Sequence, residues 1–550
     1  AKAIDAKVIL VVSAKSDVRE EWKKTVQSAD NFNTIYDFLT SDDLKRNKYA
    51  VKAALENDKG AVLFLTLQDL QGDTIKDKHT ELFGQQIDLL IVDETHYGAR
   101  AESYGKILRD AKDVKNKHDS DDYIEIADAE EQLKSLQVKV TLHLSGTPYR
   151  ILMGSEFTKD DIIAFYQFFD IVQDQEQWDK DNLLNDNDGV KEWDNPYFGF
   201  PQMIRFAFVP SKAALELLES LRKSGTTYAF SELLKPQSIK KDNSSLALHK
   251  KFVHESEVLE LFEVIDGCRE DEGLLSFLDY DKIKDGKMCQ HIVCVLPFCA
   301  SCDALEELIT SNRGSFKNLQ EYVIINISGV DSPNEYSSIQ AIKSKIKSCA
   351  IEGKKTLTLT VNRMLTGSTV EEWDTMLFMK DTASPQEYDQ AIFRLQNQYV
   401  RELVSDNGDI IKYNMKPQTL LVDFDPHRMF IMQEKKSQIY NANTETSGNE
   451  HLRDRLEAEL RISPIITLNA NRIIQVEAAD ILSAVSEYSN SRGVIDETVD
   501  IPIDMSLLSD DIIKSAIEMQ AELGSKQGLA IDANNCLLYT SPSPRDAHES

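Results

Sequence analysis

The stretch Ile87-Asp-Leu-Leu-Ile-Val-Asp-Glu-Thr-His96 constrains the fold most. Five of its first six residues are apolar and show no helical period, the pattern of a strand buried on both faces. The run stops at Asp93, Glu94 and His96. Open α/β sheets bind ligands at the carboxyl ends of their strands. A carboxylate pair at that position suits two tasks: one member holds Mg²⁺ on a nucleotide's phosphates, and its neighbour polarises an attacking water. Taken alone, the same residues also read as an apolar strand followed by an ordinary polar turn.

Other stretches extend the pattern. Lys7-Val-Ile-Leu-Val-Val-Ser13 and Ala61-Val-Leu-Phe-Leu-Thr66 read as buried strands, and Val138 to Leu144 as a third that runs into Ser145-Gly-Thr-Pro148. A second group follows at His291–Pro297, Tyr322–Ile327, Thr356–Val361, Thr375–Met379 and Thr419–Asp423. Strands alternating with helical segments at this spacing predict parallel, doubly wound sheets, an α/β fold. Between the last strands lie Val361-Asn-Arg-Met-Leu-Thr-Gly-Ser368 and Tyr388-Asp-Gln-Ala-Ile-Phe-Arg394.

In order and spacing these stretches resemble the motifs of superfamily 2 helicases of the DEAD/DEAH-box type. Asp93-Glu-Thr-His96 resembles motif II, Ser145-Gly-Thr-Pro148 motif III, Thr366-Gly-Ser368 motif V, and Gln390 to Arg394 motif VI. The Ser-Gly-Thr-Pro form is most similar to the ATPase subunits of type I and type III restriction enzymes and their phage-encoded relatives. The resemblance spans roughly residues 7–425. It implies two RecA-like P-loop NTPase domains with helical insertions, ATP bound between them, and hydrolysis coupled to movement on nucleic acid.

The resemblance also implies roles. Asp93 would hold Mg²⁺, Glu94 would be the base that orients water, and His96 would report the γ-phosphate to motif III. Ser145, Gly146 and Thr147 would couple nucleotide state to the nucleic-acid path. Gln390 and Arg394 would act on the phosphates, with Arg394 as an arginine finger. Gly367 would allow close backbone approach to the ligand. Ser13, Lys15, Thr66, Gln68, Thr366 and Ser368 would contact nucleic acid.

Two departures stand out. The family's phosphate loop, G-x-x-x-x-G-K-[ST], precedes the strand that matches Lys7–Ser13, and this chain carries no such loop. Gly353-Lys-Lys-Thr356 is the nearest look-alike, but it lacks the upstream glycine and leads into a strand. The expectation is a fragment without its Walker A motif that binds ATP poorly. The family's second motif VI arginine is replaced by Asn397, with Arg401 one helical turn further on.

The expected domains are 1–208, a first RecA-like domain with an acidic insertion at 156–200; 209–285, a connecting helical segment; 286–430, a second RecA-like domain; and 431–535, a mostly helical region. The insertion reads either as a protein-docking element or as an elaboration packed on the first domain. Residues 536–550 resemble a translated sequencing adapter, or else a disordered Ser/Pro tail.

The net charge of −30 argues against a generic nucleic-acid binder, although only the groove itself must be basic. Residues 211–251 carry eight Lys/Arg against four Asp/Glu, while 156–194 hold twelve Asp/Glu against three Lys. Seven cysteines without framework spacing suit a reducing compartment. Cys299-Ala-Ser-Cys302 has the context of a redox pair, a four-cysteine zinc site with Cys289 and Cys294 is a second reading, and core packing is a third. No apolar run is long enough to span a membrane, and the expected setting is the cytoplasm of a bacterium or phage host. The implied cofactors are ATP and Mg²⁺. The implied partners are DNA, duplex in preference to single strands, and restriction or modification subunits or a nuclease domain outside this chain. The leading expectation is a DNA translocase motor, with a strand-separating helicase and a non-catalytic DNA-docking scaffold as alternatives.

Overall fold

The computed structural model describes residues 1–13, 18–70, 86–93, 136–147, 161–183, 189–208, 229–237, 250–268, 288–330, 336–365, 369–382, 385–405, 408–444, 452–469, 472–491, 530–532 and 537–539. The chain divides into two compact units, Ala1–Glu156 with Asp500–Ser550, and Phe157–Val499.

The first unit holds a five-stranded sheet. Its strands are β1 (Val8–Ser13), β2 (Tyr36–Thr40), β3 (Gly60–Thr66), β4 (Ile87–Asp93) and β5 (Val138–Leu144). They lie in the order β2-β3-β1-β4-β5, and every pairing is parallel. The strand period of two sorts their apolar residues onto two faces. Val8, Leu10 and Val12 join Leu63 and Leu65 on one face. Ile9 and Val11 join Val62, Phe64 and Leu89 on the other. Helix α1 (Arg19–Ser28) covers the second face through Trp22 and Val26, whose spacing of four puts them on one side of an otherwise polar helix. Helices α2 (Ser41–Arg46) and α3 (Ala50–Glu56) cover the first face through Leu44, Val51 and Ala54. A capping box between Thr40 and Asp43 starts α2. Helices on both faces of a parallel sheet make this a doubly wound α/β unit.

The one polar residue inside β4 has a structural task. Asp88 accepts the amides of Lys7 and Val8 at 2.9 Å each, and its other oxygen meets Lys139 Nζ at 2.6 Å. Burial pushes its carboxyl up, but the Lys139 ammonium and those two amides outweigh burial and hold its pKa below the ordinary value. It thereby clamps β4 to the starts of β1 and β5.

The second unit holds an eight-stranded sheet in the order β15-β14-β6-β13-β10-β7-β9-β8. Its strands are β6 (Gln202–Ala207), β7 (His291–Val295), β8 (Val323–Asn326), β9 (Thr356–Thr360), β10 (Thr375–Phe378), β13 (Gln418–Asp423), β14 (Ile465–Asn469) and β15 (Arg472–Gln475). All pairings are parallel except β14 with β15. Apolar residues again alternate between faces: Ile292, Cys294 and Leu377 pack on one, Val293, Val295 and Phe378 on the other. A separate ribbon, β11 (Val400–Val404) with β12 (Ile410–Asn414), is antiparallel.

Three expectations differ from what the fold contains. Strand β6 lies within residues 1–208, the bounds expected for the first domain, yet it pairs with β13 and β14 of the second sheet. The region after residue 430 supplies β14 and β15 to the same sheet, beside helices α10 (Pro426–Thr444), α11 (Leu452–Ile462) and α12 (Ala478–Ser491). The described residues of the 156–200 segment belong to the second unit, where packing on the first domain was one expectation. Its helix α4 (Phe168–Asn182) lies against α11, Arg455 donates to Gln167 at 3.0 Å, and Gln398 donates to the Phe198 carbonyl at 2.7 Å. Gly199 sits at φ +94, and a Cβ there would lie 2.4 Å from the Val400 side chain, so only glycine permits this approach.

The described part of the C-terminal tail contains a short ribbon, β16 (Ala530–Asp532) with β17 (Leu537–Tyr539). No helix among the described residues is long and apolar enough to cross a membrane.

Candidate functional site

The carboxyl ends of three adjacent strands of the first sheet line up. Ser13 is in register with Thr66 on one side and with Asp93 on the other, and Asp93 is in register with Leu144. Ser145 is the next residue after Leu144. Parallel pairing therefore gathers Ser13, Thr66, Asp93 and Ser145 along one edge of the sheet, although they are spread over more than a hundred residues of chain.

Asp93 is partly exposed at the end of β4. Trp22 Nε1 on α1 donates to Asp93 Oδ2 at 3.2 Å. Next to it, His143 on β5 is in register with Val92, and burial lowers its imidazole pKa below the ordinary value. The Thr147 amide donates to Ser145 Oγ at 3.3 Å, closing a turn over the end of β5. On the far side, the Thr66 amide and hydroxyl both donate to Asp69 Oδ2 at 2.9 Å, fixing the turn that leads into the 3-10 helix Gln68–Leu70. Gln68 is exposed and Thr66 half-buried, whereas Ser13 is buried with its carbonyl taken by the Leu67 amide.

Lys15, Glu94, His96, Thr366, Gly367 and Ser368 lie outside the described residues. Among the described residues no group of three or more His, Cys, Asp or Glu side chains could hold a metal ion. A single accessible carboxylate is the donor set for Mg²⁺ carried on phosphates, which needs one or two carboxylates and not an all-protein cage. Asp93 fits that requirement.

In the second unit, Gln390 lies on helix α9 (Pro385–Ile392), and Arg394 on the 3-10 helix Phe393–Gln396 that continues it. Arg394 Nε donates to the Leu365 carbonyl at 3.0 Å. The motif VI arginine is thus tied to the residue immediately before Thr366. Tyr388, buried on the same helix, donates to Asp423 Oδ2 at the end of β13 at 2.8 Å. Lys380 donates to Asn362 Oδ1 at 2.7 Å and to Glu387 Oε1 at 2.5 Å.

Arg401 is not one helical turn beyond Asn397. The helix ends at Gln396, Asn397 is extended, and its side chain caps the Arg394 carbonyl at 3.0 Å. Arg401 therefore sits on β11. Its guanidinium donates to the Tyr399 hydroxyl at 2.6 Å and lies 5.4 Å from that ring's centre.

Among the described cysteines, Cys289, Cys294, Cys302 and Cys349 are buried, Cys268 is half-buried and Cys299 is exposed, and none forms a disulfide with another described residue. Cys289, Cys294 and Cys302 are packed in one hydrophobic cluster. Burial pushes all three of those thiols far above the ordinary range.

The sequence reading missed Trp22 as a partner of Asp93. Its one signal was a large aromatic residue on a helix otherwise made of charged and polar side chains.

Residues 1–150 match the family described as type III restriction enzyme, res subunit. A protein of Mycoplasma pneumoniae described as the C-terminus of a putative type II restriction enzyme and methyltransferase is 27% identical over 462 residues, covering 76% of this chain. The chain spans 58% of that relative's length. Among solved structures, the ATP-dependent Type ISP restriction-modification enzyme LlaBIII bound to DNA superposes with TM-score 0.39 at 9% identity, over 80% of this chain and 27% of that one. The Mycobacterium smegmatis helicase Lhr bound to ssDNA and AMP-PNP superposes with TM-score 0.34 at 12% identity, over 98% and 53%. Residues 1–150 thus resemble the res subunit of type III restriction enzymes, and most of the chain is similar to a putative restriction enzyme and methyltransferase.

Proposed function

We propose that this chain is the motor core of an ATP-dependent DNA translocase of the restriction type, coupling ATP hydrolysis to movement on duplex DNA. The observation that carries the reading is the alignment of Thr66, Ser13, Asp93 and Ser145 along one carboxyl edge of a parallel sheet. Mg²⁺ bound there would neutralise phosphate charge, and Asp93 is the residue that would hold it. Glu94 would orient the attacking water, with His96 beside it. Arg394 would stabilise charge on the transferring phosphoryl group, and Gln390 would assist it. Ser145 and Thr147 would pass nucleotide state to the DNA path. Thr66 and Gln68 would contact a phosphate backbone, a role that the exposure of Gln68 supports.

One observation favours a second reading, strand separation. The β11–β12 ribbon follows the Arg394 segment and presents apolar side chains to solvent: Leu403 is 55% exposed, Val404 73% and Ile410 57%. Apolar wedges of this kind unstack base pairs in proteins that deform duplexes.

The test is ATP turnover with and without duplex DNA, on this chain and on the longest product of its native reading frame. The motor reading expects DNA-stimulated turnover that Asp93→Asn and Glu94→Gln abolish. Absence of turnover from the longer product would leave a non-catalytic DNA-docking scaffold instead. Triplex displacement without duplex unwinding supports translocation. Unwinding that is lost in Val404→Asp with Ile410→Asp supports the second reading.

A further inference from the structure

We infer that Trp22 is the positioning residue for Asp93: its indole N–H holds the carboxylate in the orientation that a divalent cation requires. The inference rests on the proposed role of Asp93 as metal ligand. Helix α1 reads Arg-Glu-Glu-Trp-Lys-Lys-Thr-Val-Gln-Ser, and Trp22 and Val26 are its only apolar residues. Both face the sheet, where Trp22 packs with Ile9, Val11, Leu89 and Ile91. That packing holds the ring, and the ring in turn presents Nε1 to Asp93 Oδ2 at 3.2 Å.

The choice of an indole is chemically specific. Tryptophan's N–H is a donor only, so it can neither ligate a metal nor take a proton from the carboxylate. It is also neutral. A lysine or arginine at this place would fix Asp93 but would oppose an incoming cation, whereas the indole leaves the full negative charge in place. A carboxylate has about four lone-pair sites, so accepting the indole hydrogen bond does not by itself prevent coordination. Metal ligands are ordinarily oriented by such outer partners, and removing one lowers metal affinity by about 10- to 100-fold. A further consequence follows from chain order. Helix α1 follows the strand that ends at Ser13, so a displacement of α1 by nucleic acid would reach Asp93 through the indole hydrogen bond.

The experiment is Mn²⁺ binding to the full chain, read by electron paramagnetic resonance of the free ion, for the native protein, Trp22→Phe and Asp93→Asn. Phenylalanine keeps the packing and removes the N–H. The expected result is Mn²⁺ affinity lowered about 10-fold in Trp22→Phe at an unchanged thermal midpoint, with binding at this site lost in Asp93→Asn. Native-level binding by Trp22→Phe, with loss in Asp93→Asn, overturns the inference and leaves the motor reading standing. Equal binding by native protein and Asp93→Asn, or none by either, removes Asp93 as a ligand and overturns both.

A second measurement does not depend on folding of Trp22→Phe. The chain has four tryptophans, hence four indole N–H resonances. The Trp22 resonance is expected to move on Mg²⁺ addition to the native protein and to move in Asp93→Asn. A Trp22 signal indifferent to both changes overturns the inference.

Discussion

Arg394 Nε donates to the Leu365 carbonyl at 3.0 Å, which ties the guanidinium of the motif VI segment to the start of the motif V segment. A lysine has no second nitrogen with which to keep that bond while reaching a phosphate. Arg394→Lys is therefore expected to lose ATP turnover as severely as Arg394→Ala, by about 10³-fold or more if Arg394 is an arginine finger. Losing the Leu365 bond itself costs only about 1 kcal/mol, so both variants should remain folded. Steady-state turnover beside urea denaturation checks this, and native turnover in Arg394→Lys would remove the assignment.

Ser145 accepts the Thr147 amide at 3.3 Å in the turn that caps β5. Ser145→Ala deletes that acceptor without touching Asp93. If the turn couples nucleotide state to the DNA path, basal ATP turnover survives and stimulation by DNA falls at least about fivefold, the low end of ordinary coupling energies. Turnover measured across a DNA titration decides the matter. A proportional fall in basal and stimulated rates would place Ser145 in the chemistry and not in the coupling.

Two buried groups in the second unit should give opposing pH dependences of stability. Burial pushes the Asp374 carboxyl up to about 7, against the hydrogen bonds it accepts from Thr375 and the His291 and Gln290 amides. Between its unfolded value near 4 and about 7 the folded state keeps a proton that the unfolded state has released, so this group makes stability fall as pH rises. Burial, aided by Arg401, pushes the His291 imidazole down to about 4. Between about 4 and 6.5 the unfolded state binds the extra proton, so His291 makes stability rise with pH. Each slope is about 1.4 kcal/mol per pH unit at most. Urea midpoints from pH 4.5 to 6.5 should change little in the native protein. They should rise with pH in Asp374→Asn and fall with pH in His291→Gln. The same slope in all three proteins would contradict both assignments.

Asp423 and Arg428 form a buried ion pair at the end of β13, 2.5 Å apart and with side chains 0% and 6% exposed. The Tyr388 hydroxyl and the Lys380 carbonyl complete its hydrogen bonding. Asp423→Asn leaves Arg428 uncompensated in the core and should cost about 3–5 kcal/mol. Replacing both partners by apolar residues, Asp423→Leu with Arg428→Met, should recover most of that loss, because burying two charges is itself costly. Chemical denaturation of the three variants tests the contrast. A double variant as unstable as the single one would mean that the pair contributes net stability.

Much of the strand inventory was legible before any fold was known. The predicted Val138–Leu144 strand coincides with β5, and Lys7–Ser13, Ala61–Thr66 and His291–Pro297 differ from β1, β3 and β7 by one or two end residues. Continuous apolar runs bounded by polar residues carry that information locally. The continuation of the motif VI helix was not legible. Gln398-Tyr-Val-Arg401 contains no proline or glycine to stop a helix, yet the chain turns extended at Asn397 because residues 400–404 pair with 410–414. That pairing is what carried Arg401 away from Arg394.

By itself the sequence determined which segments become strands, where each one ends, and that Asp93 and Ser145 stand at carboxyl ends. Only the tertiary structure decided which sheet each strand joins: Met203 of β6 is in register with Thr419 of β13, 216 residues further on, and no local pattern names a partner that distant.

 The structure likewise decided that Trp22 reaches Asp93 and that Ser13 is buried between Thr66 and Asp93. The physical reason is the same in each case. Strand formation follows from a few neighbouring side chains, whereas pairing and side-chain contact depend on bringing together segments far apart in the chain, at an entropic cost that only the whole packed core offsets.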